Sequence, residues 1–280
     1  MSDSHQTNVD QAEAWNGVSG RAWIELQSLL DEILAPFEKL LIEDHVSHST
    51  RSVLDVGCGA GATTLAAARH LVRGGRAVGA DISTLLIEFA RKRAIEAGVD
   101  NATFIAADAQ THAFEPDTFD TVISRFGVMF FADPVAAFAN IRRAARDDAS
   151  LRFIAWRSPA ENPFMTTAGR AAAPFLPSLV PPDPNAPGQF AFADPDRVRR
   201  ILDASGWKRI DLRPIDVPVS ISQRDLLTYV TRLGPVGRAL QDVDEQTRAK
   251  TTAALQDAFV RFIRDGAARF NAACWAVSAR

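Results

Sequence analysis

Three short stretches carry acids and glycines in a pattern suited to holding a ligand. V-L-D-V-G-C-G-A-G at 53–61 places Asp55 ahead of Gly57, Gly59 and Gly61, with Cys58 and Ala60 between them. Val53 and Leu54 suit the end of a buried parallel strand, and the Ala-rich run from Ala62 to Val72 suits a helix. Strand, glycine turn and helix together bring a ligand against bare backbone at a helix N-terminus. A Cβ there would hold the ligand away, and the turn can require φ > 0. Gly57, Gly59 and Ala62 also fit the G-x-G-x-x-G/A pattern of dinucleotide sites. Asp55 argues the other way. A carboxylate two residues before the first glycine repels a pyrophosphate but suits a ligand with a cationic amino-acid end. Plain turn-making is the structural alternative for the glycines. Asp81 lies 20 residues beyond Gly61 and ends a second strand at 77–80. An acid there accepts two hydrogen bonds from ribose hydroxyls. Helix capping is its alternative role, for which Ser83 is also available. Asp108-Ala109 closes a third strand at 103–106; a short acceptor there can take an adenine amine while the small neighbour leaves room for the ring.

These residues need strands to hold them. Phe119 to Ser124 is a buried fourth strand, and Arg125 to Phe131 is the loop at its carboxyl end, where open α/β sheets bind ligands. A helix runs from Ser83 to Gly98, a good C′ residue. Asp133-Pro134 gives an N-cap and N1 for another, and Ser150 to Trp156 gives a fifth strand. Upstream, residues 1–10 are polar and expected to fray. Residues 19–46 read as two amphipathic helices, the second opened by Pro36. Trp15 and Trp23 flank Arg21 there; they either anchor these helices on the core or make the segment a flap over the ligand mouth. Prolines at 159, 163, 174, 177, 181, 182, 184 and 187 exclude a regular strand or long helix from 158–192. That excursion is either a lid or a passive surface loop. Asp194-Pro195 opens a helix ending at Gly206, and 207–219 is extended. Helices follow at 223–233 and 245–265, then a strand at 269–278. The last two strands are expected to pair antiparallel.

Composition excludes several classes. The chain has 280 residues, is 47% hydrophobic and carries a formal charge of −3, so it can bury a large core and shows no basic stripe for nucleic acid. Cys58 and Cys274 are too few for a disulfide framework or a thiol metal site. Neither a signal peptide nor a membrane span is evident, so a soluble, cytoplasmic protein without membrane or nucleic-acid partners is expected.

With L-D-V-G-C-G-A-G at 54–61, G-A-D-I-S at 79–83, A-D-A at 107–109 and F-D-T-V-I-S-R-F-G-V-M-F-F at 119–131, the chain resembles the class I S-adenosylmethionine-dependent methyltransferases. It looks closest to the branch that contains the ubiquinone/menaquinone-biosynthesis C-methyltransferases. The resemblance covers about residues 50–156 and continues more loosely to the last strand. It implies an α/β, doubly wound seven-stranded sheet of order 3-2-1-4-5-7-6 with strand 7 antiparallel. An N-terminal helical flap (1–48) would precede a Rossmann-like domain (49–280) that carries the lid insertion. It implies S-adenosyl-L-methionine as methyl donor, S-adenosyl-L-homocysteine as product, and no metal. Asp55 and the 57–61 backbone would hold the methionine portion and Asp81 the ribose. Ile82 would pack on adenine, Asp108 would bind its amine and Ala109 its face. Ser124 and Arg125 would line the sulfonium side.

The reaction expected is in-line displacement of the sulfonium methyl by a small-molecule acceptor, driven by positioning in a dry pocket. No general base stands out: His5, His45, His48, His70 and His112 all fall in tail, connector, helix-end or loop positions. Arg125 is the candidate for positioning an acidic acceptor or lowering a phenol pKa, with a salt bridge to Asp133 or a lid acid as its structural alternative. Phe126, Met129, Phe130, Phe164 and Phe175 are expected to wall the pocket and favour an aromatic or lipophilic acceptor. Two other classes compete. A nicotinamide-dependent oxidoreductase is permitted by the glycines but not favoured by Asp55, and a non-catalytic S-adenosylmethionine-binding module is compatible with every motif. The C-terminal helices either cap the pocket or form a homodimer interface.

Overall fold

The computed structural model describes residues 2–43, 46, 49–179, 183 and 186–280; Pro181, Pro182, Pro184, His45 and His48 lie outside them. Three helices come first, α1 (Ser2–Asn16), α2 (Val18–Glu25) and α3 (Gln27–Glu43). The alternating part follows: β1 (Ser52–Val56), α4 (Ala62–His70), β2 (Arg76–Asp81), α5 (Thr84–Glu96), β3 (Ala102–Ala106), β4 (Phe119–Arg125), α6 (Pro134–Ala144) and β5 (Ala145–Trp156). Then come α7 (Pro163–Ala172), α8 (Pro195–Ala204), β6 (Asp211–Ser222), α9 (Gln223–Arg232), α10 (Gly234–Ala239), α11 (Glu245–Val260), β7 (Ile263–Arg264) and β8 (Ala267–Ala279).

The sheet runs β3-β2-β1-β4-β5-β8-β6. β1 to β5 pair in parallel, and β8 is antiparallel to both β5 and β6. Counting β8 as the seventh strand, this is the expected order 3-2-1-4-5-7-6. The eighth strand is the two-residue β7, which makes a short hairpin with β8 and is too brief to leave a sequence pattern. Every residue of β1 is buried, as a central strand covered on both faces by helices requires.

The capping expectations are met where the side chains are free to serve. Ser83 Oγ accepts from Leu86 N at the start of α5, and Asp133 and Asp194 cap α6 and α8 with Pro at N1. Gly98 and Gly206 close their helices at positive φ.

Four expectations are corrected. Residues 2–10 do not fray but belong to α1. Pro36 does not open a helix; it sits inside α3, which breaks from α2 at Leu26 instead. Leu30, Ile33, Leu34, Phe37, Leu41 and Ile42 form one buried stripe across the proline, and that burial outweighs the roughly 3 kcal/mol that an interior proline costs. The Pro-rich excursion contains the ten-residue helix α7, with Pro163 at N1. An additional helix, α10, stands between the helices expected at 223–233 and 245–265.

Candidate active site

The site is built where β1 and β4 end side by side. Gly57, Gly59 and Gly61 all adopt positive φ, at 68°, 53° and 83°. A Cβ on Gly57 would stand 2.6 Å from Gly127 Cα, and one on Gly127 would stand 2.6 Å from both Gly57 Cα and Val56 O. Two backbones therefore touch at this point. Gly127→Ala is expected to lower stability by about 2 kcal/mol, since neither backbone can yield. Thermal unfolding should show it as a fall of about 5 °C, and an unchanged melting temperature would refute the close approach.

Backbone amides of the turn are held from the neighbouring strand. Gly57 N and Cys58 N donate to Ala80 O. Asp81 receives Gly59 N on one carboxylate oxygen (2.8 Å) and Ser83 N on the other (2.9 Å). Burial raises its pKa while these two donors oppose the rise. The predicted ribose acid thus also fixes the turn that it faces. Ser83 caps α5 itself, so Asp81 is not needed as a helix cap.

Asp55 is 1% exposed. Its Oδ2 accepts from Thr64 Oγ1 at 2.7 Å, and its Oδ1 has no partner. Burial lifts its carboxyl to about 7. Arg125 approaches from the end of β4 with its side chain 10% exposed, and Glu38 of α3 is its ion-pair partner at 3.8 Å. That corrects the expected pairing with Asp133 or a lid acid. Asp133 is occupied as the cap of α6, whereas α3 lies over the end of the sheet. At 3.8 Å the pair is no hydrogen bond, and Arg125 Nη1 is left without one.

Trp23, Gln27, Cys58, Gly59, Arg125 and Phe126 help line a space of about 50 Å³. Small-molecule sites are usually roughly 300–1,000 Å³. Its lining includes the glycine turn, Thr63 and Arg125, but none of Asp55, Asp81 and Asp108. Gln27 Oε1 is a third buried atom without a partner. Gln27 Nε2 donates to Asp31, which pairs with Arg93, and Arg93 Nη1 donates to Ala60 O. This relay ties α3 to α5 and to the glycine turn.

The remaining predicted residues separate into two groups. Ser124 gives its hydroxyl to Val56 O at 2.7 Å and so joins β4 to β1. Asp108 accepts from Gln110 N on Oδ1 and from Asn8 Nδ2 of α1 on Oδ2, the latter at 2.7 Å. Ile82 is half-buried and Ala109 buried beside them. Trp15 and Trp23 meet edge to face with ring centroids 5.7 Å apart, and Trp15 meets Phe130 the same way. Phe126 takes φ 66°, a strained value for a bulky residue. It is held there by its N–H to Ile154 O and by stacking on Trp156 at 4.4 Å. Phe164 packs on Trp156, Tyr229 and Phe270 and is buried, as is Met129. Phe175 is half-buried three residues beyond α7, its N–H donating to Ala172 O.

Glu38, Gln27, Thr64, Asn8 and Gly127 escaped the sequence reading. Thr64 had a usable signal: it is the third residue of the helix that follows the glycine turn, and its hydroxyl reaches back to Asp55. Gly127 also had one, as a glycine two residues beyond a ligand-side strand end. Glu38, Gln27 and Asn8 had none, because helices before the first strand carry no register against the sheet.

Residues 47–177 match the family model described as a methyltransferase domain. Over 109 residues, 39% of this chain and 50% of the relative, the sequence is 36% identical to aklanonic acid methyltransferase DauC of Streptomyces sp. strain C5. Over 137 residues, 47% of this chain and 55% of the relative, it is 30% identical to the ubiquinone/menaquinone biosynthesis C-methyltransferase UbiE of Hahella chejuensis. The chain thus spans about half the length of the curated relatives it matches. The crystal structure of YcgJ from Bacillus subtilis superimposes with a TM-score of 0.58 at 19% identity, covering 86% of this chain and 96% of that one, which shows a shared fold. Motif order, strand order and family match coincide: residues 47–177 match a methyltransferase domain, on a fold that the chain shares with YcgJ.

Proposed function

We propose that the chain transfers the methyl group of S-adenosyl-L-methionine to a small aromatic or lipophilic acceptor. One observation carries the reading. Asp55 Oδ1 and Arg125 Nη1, of opposite charge and both buried without a hydrogen bond, stand toward the carboxyl ends of the adjacent strands β1 and β4, beside the glycine turn. A ligand end bearing both an ammonium and a carboxylate would satisfy the two at once, and buried polar groups left unpaired are costly enough to need such a reason. In this reading Asp55 and Gln27 Oε1 accept from the ammonium. Arg125 holds the carboxylate, which moves it from the acceptor to the methyl donor. Asp81 accepts from the ribose hydroxyls with its remaining lone pairs, and Asp108 from the adenine amine. The bound donor supplies a methyl group on a positively charged sulfur, a good leaving group. The chain's own part is then to orient the acceptor and keep the pocket dry.

The relatives, an aklanonic acid methyltransferase and a ubiquinone/menaquinone biosynthesis C-methyltransferase, support a small-molecule acceptor. Phe126 lines the space beside Arg125 and supports an apolar one. Phe126→Ala is expected to raise acceptor KM about tenfold, the scale of one lost apolar contact of ~1.4 kcal/mol, with little change in donor affinity. An unchanged KM would remove Phe126 from the acceptor wall.

The donor is tested by isothermal titration with S-adenosylmethionine, S-adenosylhomocysteine and NADH, on the wild type and Asp81→Ala. Micromolar binding of the two sulfur ligands, lost in the variant and absent for NADH, is expected. Tight NADH binding without sulfur-ligand heat would move the chain to the oxidoreductases. Transfer of radiolabelled methyl to an acceptor panel then separates an enzyme from a binding module.

A further inference from the structure

α1 is held differently from every other helix near the site. None of its residues from 8 to 16 is buried, whereas α3 buries seven residues against the core. Val9 is exposed, and the only large ring on the helix, Trp15, is half-buried. Polar contacts help to fix it. Asn8 Nδ2 donates to Asp108 Oδ2 at 2.7 Å, Ser83 Oγ donates to Trp15 O at 2.8 Å, and Leu85 N donates to Asn16 Oδ1 at 3.2 Å. Asp108 lies just beyond β3 and Ser83 just beyond β2, so α1 lies across the ends of the two strands whose acids face the nucleoside half of the proposed donor. The Trp15 ring stands edge-on between Trp23 and Phe130. The small space at the glycine turn stops short of Asp81 and Asp108. On the nucleoside side, Asn8 of α1 occupies Asp108 Oδ2.

A primary carboxamide and an exocyclic purine amine are the same kind of donor: a planar NH₂ group offering a proton to a carboxylate. We propose that α1 is an internal competitor for the nucleoside half of the site. Asn8 takes the place of the adenine amine on Asp108, and the donor binds fully only when α1 swings out about Gly17. This rests on the assignment of Asp108 to adenine under the proposed function. Gly17 stands between the two helices outside helical geometry, with φ −96° and ψ −137°. Among the described side chains of α1, residues 8–16, none is fully buried, so its release uncovers no core residue there. Apparent affinity for the donor is the intrinsic affinity reduced by the fraction of molecules in which α1 is out.

Hydrogen exchange of the full-length chain, with and without saturating S-adenosylhomocysteine, tests this together with titration of two variants. Exchange of the α1 amides is expected to rise on ligand binding. Asn8→Ala, which removes the amide donor and keeps a good helix former, is expected to bind S-adenosylhomocysteine about tenfold more tightly, the effect of losing one hydrogen bond to a charged group. Asn8→Asp, which sets a carboxylate against Asp108, is expected to do so at least as strongly. Slower exchange of α1 on binding, with both variants binding no better than wild type, would overturn the proposal and make α1 a clasp that closes over the ligand. Failure of S-adenosylhomocysteine to bind wild type and both variants would overturn the donor assignment itself, and this proposal with it.

Discussion

Replacing Arg125 by Gln is expected to weaken S-adenosylhomocysteine binding roughly 30- to 1,000-fold while leaving 5′-methylthioadenosine, which lacks the amino-acid end, bound as in wild type. Truncating one partner of a buried, hydrogen-bonded charge pair costs about 2–5 kcal/mol, and the lower part of that range gives this factor. The low end applies if water replaces the lost contact, and the high end if the ligand carboxylate stays buried alone. Stability should move less. Glu38 sits 3.8 Å away and its side chain is 29% exposed, so solvent screens the charge that Arg125 would leave behind. Arg125→Lys should recover part of the loss, because an ammonium keeps the charge but not the planar fork that meets a carboxylate with two donors. Titration of both ligands against all three proteins decides the matter. Equal losses for the two ligands would show that Arg125 shapes the pocket without reading the carboxylate.

The parts legible in the sequence were those set by local chemistry. Asp55, Asp81 and Asp108 could be placed because each follows a short apolar run, and parallel strands put their carboxyl ends on one edge. The caps at Ser83, Asp133 and Asp194 were legible for the same reason. What stayed hidden depends on packing between distant segments. Glu38 meets Arg125 only because α3 crosses the end of β4, and Asn8 meets Asp108 across 100 positions of sequence. Pro36 misled because its helix-breaking tendency is local, while the buried stripe that overrides it is tertiary. Asn162-Pro163 repeats the pattern of Asp133-Pro134, yet proline density hid α7. The Asn162 side chain does not cap that helix; it bonds to the backbone of Ala273 in β8.

Asp55 should give the chain an unusual pH dependence. Its carboxyl stands at about 7 in the fold against an ordinary 3.8, so between those values the native state binds more protons than the unfolded one. Stability then falls as pH rises through this window, and the full penalty, up to about 4 kcal/mol, is reached above pH 7. Asp55→Asn keeps an acceptor for Thr64 Oγ1 and removes the titrating group. The variant should match wild type in urea unfolding near pH 4 and exceed it at pH 8 by up to that amount. Asp81 is also raised by burial, but it is common to both proteins and cancels in the difference. Donor binding adds a second consequence. If the ligand ammonium pairs with ionised Asp55, affinity for S-adenosylhomocysteine rises with pH until Asp55 is ionised, and binding at pH 6.5 releases a proton. Titration in two buffers of different ionisation enthalpy would detect that proton in wild type and none in Asp55→Asn. A stability difference independent of pH would mean that Asp55 is already ionised in the fold, held by charges nearer than Arg125 now stands. In that case binding would release no proton from either protein.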